Sequence, residues 1–248
     1  KREGLHPLVA KVQAREYAKT VDAQFIILSN GIVHYLWDTK KGNPKPIYKF
    51  PSASEIGAIK EWNPDRNALA NEPVAYDYIA SVQMPDYAER PEWNGSIETS
   101  KDFIWTNGLK FLRPYQLSAI RHLQKAVTNG KDRFLFEMAT GTGKTLTSAA
   151  IIRLFLRTQN ARRVLFLVDR LELEDQAWKA FMNNLKPDYT TFIYKEHKSD
   201  WRQADIIVTT IQSLMFNDKY RYEFTPTDFD LIVSDESHRS ISGNARAV

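Results

Sequence analysis

A glycine-rich turn between an apolar run and a helix-like segment constrains this chain more than any other feature. The turn reads Met138-Ala-Thr-Gly-Thr-Gly-Lys-Thr145 and follows the apolar residues 134–136. Backbone N–H groups of such a turn can point at phosphate oxygens, and the dipole of the following helix favours negative charge there. The lysine of this pattern reaches the β- and γ-phosphates, and the hydroxyl after it ligates Mg²⁺. The predicted phosphate-binding residues are Thr140, Gly141, Thr142, Gly143, Lys144 and Thr145.

One position of the turn departs from the strict pattern, which has glycine where this chain has Met138. Motors that use ATP to move along nucleic acid commonly relax that position. The departure therefore favours an ATP-driven motor over a small GTPase, and it makes ATP with Mg²⁺ the expected cofactor pair.

Composition bounds the class of protein. The 248 residues suggest one or two domains, and the absence of cysteine excludes disulfides, cysteine-ligated zinc and iron–sulfur clusters. No apolar run approaches the roughly 18 residues of a membrane helix, so we expect no membrane association. The net charge of +4 permits a nucleic-acid partner without establishing one. The sequence begins without a signal-like apolar segment and without an initiator Met, so we expect a fragment or a chain whose beginning is not seen. The expected location of the protein is the cytoplasm.

Periodicity divides the chain into three regions. Residues 1–61 indicate a small α+β piece, and residues 62–107 an interdomain connection whose many aromatic side chains predict that it packs on something. Residues 108–248 alternate between strand-like and helix-like segments. Because several of these strands are nearly continuous apolar runs, they predict a doubly wound α/β domain with a parallel sheet covered on both faces.

Individual elements follow from the same periods. The predicted helices span residues 7–21, 52–62, 74–82, 113–127, 144–157 and 172–183. The predicted strands span residues 25–28, 32–37, 133–136, 164–168, 191–194, 206–209 and 231–234, and residues 38–46 are loop-like.

A second candidate site follows the apolar run Leu231–Ser234, which ends in Asp235 and Glu236. An aspartate at the carboxyl end of a parallel strand can hold Mg²⁺ through water, and the adjacent glutamate can orient or deprotonate an attacking water. The glycine-rich turn and this acidic pair are independent motifs that fit one and the same site. Together they predict nucleotide hydrolysis, with Thr145 and Asp235 as the metal-holding residues.

The order of these motifs resembles that of superfamily 2 helicases and translocases, which implies a RecA-like first motor lobe. Asp235-Glu-Ser-His238 resembles the DEAH-type box of that superfamily, with serine in place of alanine. Leu112-Arg-Pro-Tyr-Gln116 resembles its adenine-recognition segment, in which Arg113 and Gln116 would contact the base. Leu167-Val-Asp-Arg170 and Thr209-Thr-Ile-Gln-Ser213 resemble its motifs Ia and Ib. These imply DNA contacts by Arg170, Thr209, Thr210 and Gln212.

Three motifs together are similar to those of the restriction (R) subunit of type I restriction–modification enzymes: Glu137–Thr145, Leu167–Arg170 and Asp235–Ser240. In that family the motor follows a nuclease of the PD-(D/E)xK type. The resemblance therefore implies that residues 1–61 form the C-terminal part of a restriction-endonuclease-like α/β domain. Lys1 would be the lysine of the nuclease motif. Gln13 and Tyr17, which share a helix face at a spacing of four, would match its QxxxY motif.

The activity implied is that of an ATP-dependent DNA translocase and endonuclease. MgATP hydrolysis would move duplex DNA, which is then cut at a distance from the recognition site. The implied partners are double-stranded DNA and the methyltransferase (M) and specificity (S) subunits. The upstream nuclease acids and a second motor lobe lie outside this stretch, so we expect the stretch alone to bind ATP, hydrolyse it poorly and cleave nothing.

Two alternatives stay open. The chain could come from a stand-alone superfamily 2 helicase or repair translocase that keeps every motor residue and has no nuclease. It could also be a DNA-binding or scaffolding module whose ATP site only switches conformation. The presence of Lys144, Asp235 and Glu236 disfavours the scaffold, because a switch needs no acid that positions water.

Overall fold

A computed structural model describes residues 5–21, 23–39, 44–47, 50–53, 56, 63–186, 188–198, 201–216, 224 and 228–235. These residues form two compact units. The first unit is built from the described parts of 1–63, 162–169 and 194–248, and the second from those of 64–161 and 170–193.

Helices and strands are numbered separately in chain order. The described helices α1 to α8 are Lys11–Thr20, Arg66–Asn71, Ala80–Gln83, Ile97–Asn107, Pro114–Thr128, Lys144–Arg157, Leu171–Leu185 and Ile211–Met215. The described strands β1 to β7 are Phe25–Ser29, His34–Asp38, Lys45–Ile47, Val164–Val168, Thr191–Ile193, Ile206–Thr210 and Leu231–Ser234.

The N-terminal part of the first unit contains helix α1 and an antiparallel sheet in the order β1-β2-β3. The two strands predicted at 25–28 and 32–37 are confirmed and pair as an antiparallel hairpin, with Phe25 opposite Asp38 and Ser29 opposite His34. Its turn is closed by the Asn30 side chain, whose Oδ1 accepts from the N–H groups of residues 32 and 33 at 3.1 and 2.9 Å. Strand β3 is an addition, because Lys45–Ile47 lies partly in the stretch predicted to be a loop. The predicted helix at 52–62 falls mostly outside the described residues.

A four-stranded sheet in the order β5-β6-β4-β7 confirms the predicted α/β fold class. Strand β4 lies between β6 and β7 and pairs in parallel with both. Every residue of β4 and β6 is buried, as their continuous apolar sequences predict. The parallel register places the ends of these strands at one edge of the sheet, and Asp235 follows the end of β7 there.

One predicted strand is wrong. Residues 131–139 of the second unit form neither helix nor strand, although residues 133–136 were predicted to be a strand. The Leu135 side chain is 84% exposed. An apolar run supplies strand propensity, but a strand exists only when a neighbour accepts its backbone hydrogen bonds, and that neighbour is not encoded in the run itself.

Residues 64–107, part of the predicted connection, pack into the second unit through buried polar side chains. Gln124 of α5 donates from Nε2 to the carbonyls of Leu69 and Glu72 at 3.0 and 2.9 Å. Arg153 of α6 donates to the Tyr78 carbonyl at 2.8 Å and lies over the Tyr78 ring, 4.2 Å from its centroid. Burial raises the pKa of the Tyr78 phenol, so the ring stays neutral beside the guanidinium. The connection is thereby attached to the helix that follows the phosphate loop.

Aromatic side chains of the predicted connection form a cluster around Phe111, which follows it in the chain. The Phe111 ring stacks on Trp93 and Tyr76 with centroids 5.4 and 5.6 Å apart, and it meets Tyr87 edge-on at 5.5 Å. Within the described residues, no helix is long and apolar enough to cross a membrane.

Replacing Arg153 with methionine tests whether this attachment stabilises the second unit. Arg153→Met should lower the free energy of unfolding by about 2–3 kcal/mol, because the buried Tyr78 carbonyl loses its donor. Arg121→Met, at an exposed position of α5, is the control and should stay within about 0.5 kcal/mol of the unaltered protein. Chemical denaturation followed by tryptophan fluorescence measures both. Equal stability of the two variants would contradict the attachment.

Candidate nucleotide-binding site

The predicted phosphate loop leads directly into the N-terminus of helix α6. Gly143 caps this helix with a φ of 82°, and Gly141 has a φ of 77°. Residues other than glycine rarely adopt this left-handed backbone conformation, so the path of the loop requires glycine at both positions. Thr142 tightens the turn, since its hydroxyl donates to the Ala139 carbonyl at 2.6 Å. No acidic side chain lies in the first turn of α6, which leaves its N-terminal dipole available to an anion.

The loop is held by the side-chain amide of Gln116, which is 1% exposed. Its Nε2 donates to the carbonyls of Thr142 and Gly143, both at 3.2 Å. Its Oε1 accepts from the Arg113 N–H at 2.8 Å. A Cβ on residue 143 would lie 2.7 Å from that Nε2, so the close approach is a second reason for glycine there. The amide thus joins the start of α5 to the start of α6.

Tyr115 is a residue of this site that the sequence prediction did not assign. Its hydroxyl donates to the Thr142 carbonyl at 2.7 Å and accepts from Arg113 at 3.3 Å. The ring is 43% exposed. The sequence signal for Tyr115 was its position next to Gln116 in the segment that resembles an adenine reader. That resemblance implied roles only for Arg113 and Gln116.

A groove of about 430 Å³ lies beside the loop in the second unit. Its volume is within the range of small-molecule pockets. Its lining is mainly apolar and aromatic, from one face of α5 and the segment before the loop: Tyr115, Ala119, His122, Leu123, Ala126, Phe134, Leu135, Phe136, Glu137 and Met138.

Asp235 of the first unit follows strand β7 and is partly exposed. Its N–H donates to the Leu167 carbonyl of β4 at 2.9 Å, which continues the parallel pairing by one residue. Glu236, predicted to position water, and Lys1, predicted to serve the nuclease, lie outside the described residues. Within the described ranges, no three histidine, aspartate or glutamate side chains are grouped as metal ligands.

The candidate DNA contacts differ in accessibility. Arg170 is exposed at the N-cap of α7, and Gln212 is exposed in the first turn of α8. Thr209 and Thr210 are 0% and 1% exposed. Thr210 caps α8, since its Oγ1 accepts from the Ser213 N–H at 3.0 Å. All four DNA contacts stay predictions, and the two threonine side chains are buried in this conformation.

Gln13 and Tyr17, the candidate nuclease residues on α1, share one helix face as their spacing predicts. The Gln13 amide donates to the Tyr17 hydroxyl at 3.1 Å, and both side chains are exposed. Their role in cleavage stays a prediction.

Replacing Gln116 with leucine tests whether its amide shapes the phosphate loop. Gln116→Leu preserves volume but removes the donor to Thr142 and Gly143, so the affinity for a nucleotide should fall by a factor of about 5 to 100. Gln203→Leu, at an exposed position, is the matched control and should bind normally. Calorimetric titration with an ATP analogue measures both affinities. Unchanged binding by Gln116→Leu would contradict the role of the amide.

Comparison with known proteins identifies the family. The sequence model of the family described as "Type III restriction enzyme, res subunit" matches residues 110–248, more than half of the chain. The chain is 29% identical over 236 residues to the EcoAI endonuclease subunit, a type I restriction enzyme subunit of Escherichia coli. That match covers 92% of this chain and 26% of the relative.

Two further relatives align with a shorter part of the chain. The EcoKI type I endonuclease subunit of Escherichia coli strain K12 is 38% identical over 134 residues, covering 52% of this chain and 12% of the relative. The Saccharomyces cerevisiae protein IRC3, described as a candidate ATP-dependent helicase, is 29% identical over 143 residues. That match covers 55% of this chain and 20% of the relative. The chain thus spans about a quarter or less of the length of these relatives. It belongs to the res-subunit family of restriction enzymes, and its resemblance to the restriction subunit of type I enzymes is confirmed.

Proposed function

We propose that this chain is part of an ATP-dependent DNA translocase and endonuclease of a type I restriction system. The observation that supports the proposal best is the phosphate loop itself. Two left-handed glycines, a helix N-terminus without a side-chain cap and the buried Gln116 amide give the loop a defined shape beside a groove. Membership of the restriction-enzyme family supports the restriction system and the DNA substrate in this proposal.

In the proposed mechanism the phosphates of ATP bind at the N-terminus of α6. Backbone N–H groups of the loop donate to phosphate oxygens, and the Lys144 ammonium offsets charge on the β- and γ-phosphates. The Thr145 hydroxyl and the Asp235 carboxylate would hold Mg²⁺, because hard oxygen donors are the ligands that this ion prefers. When bound, Mg²⁺ neutralises charge that develops on the phosphates. Glu236 orients the attacking water.

The base is proposed to bind in the groove, with the Tyr115 ring as a stacking surface. Arg113 lies beside that ring and contributes a guanidinium. Gln116 would read adenine only with the part of Oε1 that Arg113 leaves available, because its Nε2 is engaged by the loop. Nucleotide binding and loop shape are thereby linked through one amide.

DNA is proposed to contact Arg170, Thr209, Thr210 and Gln212, and the protein is proposed to act in the cytoplasm with methyltransferase and specificity subunits. The relatives EcoAI and EcoKI are endonuclease subunits, which supports a nuclease in the intact protein. Lys1, Gln13 and Tyr17 would serve that nuclease.

The similarity to IRC3 favours a second candidate, a DNA helicase without nuclease activity. ATP-dependent cleavage of DNA by the intact subunit separates the two candidates.

Replacing Lys144 with alanine in the intact subunit tests the motor. The variant should lose DNA-stimulated ATP hydrolysis by at least about a hundredfold, because the loop loses the cation that offsets phosphate charge. Lys101→Ala, at an exposed position of α4, is the control and should hydrolyse ATP normally. A phosphate-release assay with and without duplex DNA measures both. Retained DNA-stimulated hydrolysis in Lys144→Ala would sink the assignment.

A further inference from the structure

Within the first unit, a buried ion pair joins two segments that are far apart in sequence. Lys11 Nζ, in the first turn of α1, lies 3.4 Å from Asp228 Oδ2, and the two side chains are 7% and 0% exposed. Removing two charges from water is costly unless they stay paired and well placed. A pair retained at such burial therefore fixes the position of one segment against the other.

On the side of the N-terminal sheet, the pair lies against Trp37 of β2, which is 1% exposed. Lys11 Nζ is 5.1 Å from the centroid of the Trp37 ring, and the Arg15 guanidinium carbon is 5.2 Å from it. Both distances are within the range of cation–π attraction. Helix α1 is thus attached to its own sheet and to Asp228 through the same turn.

On the other side, Asp228 belongs to the segment that leads into β7. Arg163, just before β4, donates to the Asp228 carbonyl at 3.4 Å. Arg162 binds the Asp230 carboxylate through Nε and one terminal nitrogen, both at 3.2 Å. These contacts anchor the start of β7 to the start of β4. Strand β7 then runs in register with β4 from Leu231 to Ser234, and Asp235 follows it.

Two faces of helix α1 differ in their exposure to solvent. Gln13 is two residues from Lys11, which is about 200° around a helix. The side of α1 that carries Lys11 and Ala18 is buried, whereas Gln13 and Tyr17 are exposed. One face is therefore held by the chain that leads into β7, and another presents the candidate nuclease residues.

We propose that Lys11 is a positioning residue whose ion pair with Asp228 fixes the candidate nuclease helix to the segment that leads into β7, the strand that Asp235 follows. This proposal rests on the proposed function, because it assigns Gln13 and Tyr17 to the nuclease and Asp235 to the motor. Its consequence is that DNA cleavage depends on the pair, whereas ATP hydrolysis does not.

The first test uses hydrogen–deuterium exchange in the intact subunit and needs no activity. Asp228→Asn removes the charge and keeps the shape of the side chain. Amide exchange across Lys11–Thr20 should rise, whereas exchange in α4 should stay unchanged. Lys19→Met is the matched control, because Lys19 on the same helix pairs with Glu16 at 3.0 Å with both side chains more than 60% exposed. Unchanged exchange of α1 in Asp228→Asn would overturn the positioning role.

The second test measures DNA cleavage and ATP turnover in the same reactions of the assembled enzyme. Lys11→Met should lower cleavage about tenfold or more while ATP turnover stays within about twofold. The double variant Lys11→Asp with Asp228→Lys restores opposite charges and should recover part of the cleavage, which a general loss of folding would not allow. Normal cleavage by Lys11→Met would overturn the inference alone. Absence of cleavage by the unaltered enzyme, with normal ATP turnover, would instead overturn the proposed nuclease and this inference with it.

Discussion

The three hydrogen bonds of the buried Gln116 amide determine the shape of the phosphate loop. A buried amide must find partners, and this one finds two in the carbonyls of Thr142 and Gly143 and a third in the Arg113 N–H. Those bonds leave room only for a glycine at position 143. The segment that resembles an adenine reader is therefore also the support of the predicted phosphate loop. In the proposed function, this support would link recognition of the base to the placement of the phosphates.

Buried polar side chains also hold distant segments together elsewhere in the chain. Arg153 and Gln124 attach the predicted connection at 62–107 to the helices on either side of the loop, through the carbonyls of Tyr78 and Leu69. Lys11 and Asp228 attach α1 to the segment before β7. In each case a charged or amide group reaches a partner far along the sequence, where desolvation makes the loss of one partner costly. Apolar contacts supply most of the stability, whereas these bonds decide which segments meet.

Sequence alone predicted the elements with strong local patterns. The bounds predicted for α6, β4 and β7 are confirmed, because apolar runs mark the two strands and Gly143 marks the start of the helix. The strand predicted at 133–136 is wrong, since its apolar pattern carries no information about a pairing partner. The contacts of Gln116, Tyr115 and Lys11 were also beyond prediction. Each depends on residues at least 26 positions away that only the folded chain brings near. The site roles of individual residues stay predictions.

The most direct test of nucleotide binding at this loop is a titration of the intact subunit with Mg²⁺ and a non-hydrolysable ATP analogue, followed by hydrogen–deuterium exchange of the complex. The expected result is saturable binding with protection of residues 138–147 and of the start of α5 around Gln116. Such a footprint would join the two segments that the amide connects. Absence of binding, or protection confined to other parts of the chain, would contradict the assignment of this loop as the nucleotide site.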